Sequence, residues 1–218
     1  MNTSVVLVPG APALVPELSG TAAVESAHRV AGVLDGLRRA SAHASAVRVV
    51  GTDPAGRTLG DVRSTLRRWG ADVPVGRPDS PLAPHDAVPD AALIAWWLLD
   101  RAEIDLPRTF TGVTGTSHTT PRAGADDLVV VVADGPASLT PRAPVPEDPR
   151  GVELDGRLGR WLREPGALPD PGQTVAREIG WWSRPAWRVL ADLVDGRAAH
   201  ESFSWAPFGV GYHWAWWR

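Results

Sequence analysis

The chain has 218 residues, 44% of them hydrophobic and 22% charged, with a formal net charge of -3, a profile that suits one globular domain spanning residues 1–218. It contains no cysteine and all 22 of its basic residues are arginine, which removes disulfides, thiolate metal sites, cysteine nucleophiles, lysine Schiff bases and the phosphate-loop lysine. The near-neutral balance also argues against a nucleic-acid partner, because neutralising phosphates requires a basic face.

Val5 to Val8 is a short β-branched run stopped by Pro9 and Gly10, and it reads as a buried first strand. Residues 21–44 carry Val24, Ala27, Ala31, Leu34 and Leu37 at helical spacing, so an amphipathic helix is expected. Val47 to Gly51 forms the second strand, followed by a Thr52-Asp53-Pro54 loop. From Arg57 to Gly76 the pattern suggests a helix around Val62 to Trp69 and a strand near Val73 to Val75. Proline crowding at 77–89 excludes a regular element there. Ala91 to Arg101 reads as a helix and Thr109 to Val113 as a strand ending in a Gly115-Thr116-Ser117-His118 turn. Leu128 to Ala133, an uninterrupted apolar run, predicts a strand buried on both faces. After a proline-rich loop come helices bearing Leu154, Leu158, Trp161 and Leu162, then 173–183 and 185–195. Ser202 to Trp217 closes the chain as two strands or a bent hairpin.

Strands alternating with helices predict an α/β fold: one domain, a central mostly parallel or mixed sheet, and helices on both faces. No span is long enough for a bilayer. The apolar N-terminal stretch is broken by Pro9, Pro12 and Pro16, and AALIAWWLL at 91–99 is about half the required length, so the expected location is the cytoplasm.

Ligands in such folds sit beyond the carboxyl ends of the strands, which directs attention to the loops at 9–12, 52–56, 115–120 and 134–141. Asp53, His118 and Asp134 each follow a strand. Were they to converge, they would offer a first shell for iron(II), manganese or another divalent cation. Read singly, each aspartate is equally suited to closing a turn, and the histidine to a solvated loop. No GxSxG elbow, HExxH pair or complete dinucleotide fingerprint occurs, so no catalytic residue and no cofactor-binding residue is assigned. The 11 tryptophans, six of them in adjacent pairs, substitute for phenylalanine in the core or reach a pocket or partner. On the last strand Tyr212, Trp214 and Trp216 share one face while His213, Ala215 and Trp217 share the other, which fits a sheet interior or a homo-oligomer contact.

Three segments, VVLVPGAPALVPEL, VVVVADGPASLTPRAP and APFGVGYHWAWW, together resemble the class III extradiol ring-cleavage dioxygenase family, in its B-subunit-like actinobacterial members. The resemblance runs essentially end to end. It implies an α/β fold around a mixed sheet and, in catalytic members, a mononuclear iron(II) held by two histidines and a glutamate. There the metal binds a catecholate and dioxygen, and a further histidine acts as acid and base. Where those relatives carry imidazoles, this chain has Gly10 and Ala11 after the first strand, Pro54 after Asp53, and Asp134 to Thr140 after the valine strand. Side chains of glycine, alanine and proline offer a metal no donor atom. The expected function is therefore a dioxygenase-fold protein with a degenerate iron site and no bound metal, taking a small aromatic molecule or a partner at the strand ends. An active iron(II) dioxygenase using Asp53, His118 and Asp134, and an assembly protein using Trp216 and Trp217, are the alternatives.

Overall fold

The computed structural model describes residues 3–20, 24–115 and 123–218. The chain enters through β1 (Ser4–Val8), turns at a short helix α1 (Pro16–Ser19), and runs along α2 (Val24–Ala40) into β2 (Ala46–Thr52). After the small strands β3 (Thr58–Leu59), β4 (Ser64–Thr65) and β5 (Pro74–Val75) come α3 (Asp90–Arg101), β6 (Arg108–Val113) and β7 (Asp127–Val132). Helices α4 (Pro149–Trp161), α5 (Gln173–Glu178) and α6 (Arg184–Val194) precede the closing strands β8 (Glu201–Trp205) and β9 (Tyr212–Trp217).

Seven strands form one mixed sheet in the order β3-β6-β2-β7-β1-β9-β8, with β4 and β5 paired separately. The four central strands, β6, β2, β7 and β1, are mutually parallel, while β3 and β9 flank them antiparallel. This is the α/β architecture expected from the alternating periods. Its middle strand is the valine run, where all six residues of β7 are buried. The alternation of side chains feeds both layers. Leu128, Val130 and Val132 pack with α2 and α3, whereas Val129 and Val131 pack with α4 and α6.

Both cores are built with tryptophan. On one side Trp96 and Trp97 of α3 and Trp214 and Trp216 of β9 are buried. Helix α2 approaches Trp214 through Gly36, where a Cβ would lie 2.1 Å from the indole. On the other side Trp187 packs between Trp161 and Trp181, with centroids 6.0 and 6.3 Å away, while Trp217 lies 6.5 Å from Trp161. Trp216 and Trp217 thus belong to opposite cores, at 6% and 2% exposure, and the large exposed indole is Trp182 at 60%.

Two local expectations change. The helix foreseen at Val62 to Trp69 is replaced by β4 and one 3-10 turn at Arg67–Trp69. Val62 and Leu66 imitate helical spacing, yet the backbone N–H of Leu66 donates to Val73 O, closing a small hairpin instead. Helix α5 stops at Glu178 rather than reaching 183, because Gly180 adopts φ +69 and turns the chain. Among the described residues, no helix is long and apolar enough to cross a membrane.

Candidate functional site at the carboxyl ends of the parallel strands

A cleft of about 490 Å³ opens where β1, β2, β6 and β7 end. Its floor is made by the residues that leave those strands: Gly10 after β1, Thr52 and Pro54 from β2, Gly115 after β6, and Val132 with Asp134 from β7. One wall is the first turn of α3, at Asp90 and Ala91. The other comprises Ala176 and Arg177 of α5, the connection through Trp181 and Trp182, and the start of α6 at Arg184 and Pro185. The starts of the four strand-end loops singled out by the sequence, Gly10, Thr52, Gly115 and Asp134, therefore meet in one depression, as parallel strands require. His118 lies outside the described residues.

Asp134 is the polar centre of the floor. Its Oδ1 accepts a hydrogen bond from the Gly10 N–H at 2.9 Å, and its carbonyl accepts one from the Trp187 indole at 2.8 Å. Gly10 is what permits this closeness: a Cβ there would stand 2.7 Å from Val132 and 3.7 Å from Asp134 Oδ2. Burial pushes the Asp134 carboxyl up to about 7, against the opposing pull of the Gly10 N–H. Tyr212 is raised as well, first by burial and then by the Asp134 charge. Oδ2 has no hydrogen-bond or ion-pair partner among the described residues.

Asp53 behaves differently although it follows its strand in the same way. At 2% exposure it points away from the cleft, which is lined instead by its neighbours Thr52 and Pro54. Oδ1 accepts from Arg57 Nη2 at 2.8 Å, and Oδ2 accepts from the Arg57 backbone N–H at 2.8 Å and from Nε at 3.0 Å. The side-chain bond from Arg57 holds its carboxyl below the usual carboxylate range despite burial. Asp53 thus ties down the 53–57 turn, with both oxygens already satisfied.

Iron needs several converging donors, and the described residues do not supply them. No group of three or more His, Cys, Asp or Glu side chains among them is placed to hold a metal ion. Asp53 is taken by Arg57 and Asp90 is ion-paired with Arg68, so among the described residues Asp134 is the cleft carboxylate without an ion pair. These residues do not fit the two-histidine, one-glutamate centre that the resemblance implies.

The most developed polar cluster lies elsewhere. His213 on β9 is fully buried; its Nε2 lies 3.0 Å from Asp155 Oδ1 of α4 and its Nδ1 lies 2.7 Å from Ser204 Oγ of β8. Its ring meets Trp187 edge-on at 5.4 Å. The residue types are those of a hydrolase triad, but none of the three lines the cleft and the imidazole has no access to solvent. Each ring nitrogen has a partner, Asp155 on one side and Ser204 on the other, and the imidazole so joins α4 to the closing hairpin.

The cleft walls were not evident in the loops alone. Arg177, Trp181 and Trp182 come from the α5–α6 region, and the only local signal was the paired indoles beside a glycine between two helical segments. Comparison with protein-family models and with curated proteins finds no match.

Proposed function

We propose that this chain is a small-molecule-binding protein on a frame similar to the class III extradiol dioxygenase family, in which the iron site has degenerated and the cleft has been kept. The observation that carries the reading is the cleft floor itself. The resemblance expects imidazoles at Gly10 or Ala11, at Pro54 and within Asp134 to Thr140, and of these Gly10, Pro54 and Asp134 line a depression large enough for a small organic ligand. Trp181 and Trp182 give it an apolar, aromatic wall, and Asp134 and Arg177 give it the few polar groups that orient a guest.

Two measurements test this. Protein purified without chelator is expected to carry far less than one iron per chain; about one tightly held iron per chain would overturn the degenerate-site reading. In thermal-shift screening, a small molecule at about 100-fold its Kd should stabilise the protein by about 2.7 kcal/mol. The gain should fall in Trp182→Ala, because the indole is an exposed part of the cleft. The active-metalloenzyme alternative, with Asp53, His118 and Asp134 as ligands, requires instead that Asp134→Ala abolish metal uptake while the fold persists.

A further inference from the structure

The cleft contains two ionisable side chains that have no ion-pair partner among the described residues. Asp134 on the floor has one oxygen held by Gly10 and the other free among the described residues. Arg177 on α5 lines the same cleft and makes no ion pair among the described residues. Their neighbours are already committed. Asp90 on the opposite wall is paired with Arg68, and Arg184 at the start of α6 makes a bidentate pair with Asp170 at 2.7 and 2.7 Å.

A desolvated carboxyl without a counter-ion is costly, and a ligand cation would relieve that cost. An exposed guanidinium is suited to a carboxylate at the rim. Pro54, Ala91, Pro185 and Trp182 line the same cleft and give it an apolar surface. The complement of this arrangement has a cationic donor at one point, an anion at another and a hydrophobic body. We infer that the cleft takes an amino-acid-like zwitterion with an apolar side chain, its ammonium group on Asp134, its carboxylate facing Arg177 and its side chain against Trp182. This rests on the cleft being a ligand site and names the class of ligand. It also departs from catecholate chelation, for which these residues hold no metal shell.

The test uses the full chain and calorimetric titration with L-phenylalanine, L-leucine, phenethylamine and 3-phenylpropionate, with benzyl alcohol as a neutral probe. Wild-type protein should bind L-phenylalanine about tenfold or more tightly than either phenethylamine or 3-phenylpropionate. Asp134→Asn keeps the shape and the Gly10 bond. It should weaken both amine-bearing aromatic probes about tenfold while leaving 3-phenylpropionate unchanged. Arg177→Gln should do the reverse, weakening L-phenylalanine and 3-phenylpropionate and sparing phenethylamine. Unaltered L-phenylalanine binding in Asp134→Asn, or equal binding of 3-phenylpropionate and L-phenylalanine by the wild type, overturns the inference. If benzyl alcohol or 3-phenylpropionate binds and neither amino acid does, the ligand class is wrong and the cleft reading stands. If no probe binds, both fall.

Discussion

Asp134, half-buried, and His213, fully buried, are both ionisable groups that touch Trp187, and they are finished in opposite ways. His213 has a partner on each nitrogen, Asp155 and Ser204, and lies at no surface. Asp134 has one oxygen satisfied and the other open to a cleft. A fully paired polar group within a core specifies packing; a half-paired one at the mouth of a parallel sheet is available to a guest. Residue type alone would rank the Ser204, His213 and Asp155 set above a lone aspartate, whereas it is Asp134 and none of those three that lines the cleft.

The difference can be broken from either side. The largest effect is expected from His213→Phe, which leaves Ser204 and Asp155 without their shared partner. A loss of about 2–4 kcal/mol in urea unfolding should follow, with ligand affinity of the folded fraction unchanged. Trp187→Phe comes next, because this one indole donates to Asp134 O and packs against His213. It should cost about 1–3 kcal/mol and also weaken cleft binding, since the residue carrying the carboxyl loses an anchor.

Asp134→Asn should act in the opposite sense. Below the unfolded carboxylate value of 3.8 the group is protonated in both states and costs nothing; as pH rises toward the folded value of about 7, the unfolded chain releases its proton first and stability drains away. The asparagine variant avoids this loss. It should therefore be more stable than wild type by about 1–2 kcal/mol at pH 8 and indistinguishable at pH 3.5, as read from unfolding curves at the two pH values. Smallest is Trp182→Ala, whose side chain is 60% exposed. Its stability should stay within about 0.5 kcal/mol of wild type while its fluorescence response to cleft ligands shrinks to what Trp181 reports.

The frame was legible in the sequence where one period ran uninterrupted. The valine strand β7, the helix α3 and the two faces of β9 follow directly from which side chains must be buried, and strand ends then pointed to Gly10, Thr52, Gly115 and Asp134, which line the cleft. Short or long-range features were not legible. Strands β4 and β5 have two residues each, too few to display a period, and Val62 with Leu66 suggested a helix in their place. The commitment of Asp53 to Arg57 depends on a turn that brings i and i+4 together outside any helix. The pairing of His213 with Asp155 spans 58 positions, a distance at which spacing carries no information. The second cleft wall depended on α6 packing across β2 and β7, which brings the Trp181-Trp182 pair over strand ends far away in the chain.

Asp134 sets a half-buried carboxyl with one open oxygen in the cleft, and carbon-detected NMR titration reads the state of that carboxyl itself. The account predicts a midpoint near 7 that falls when an amine-bearing ligand occupies the cleft. A midpoint near 4, unmoved by ligand, would contradict it.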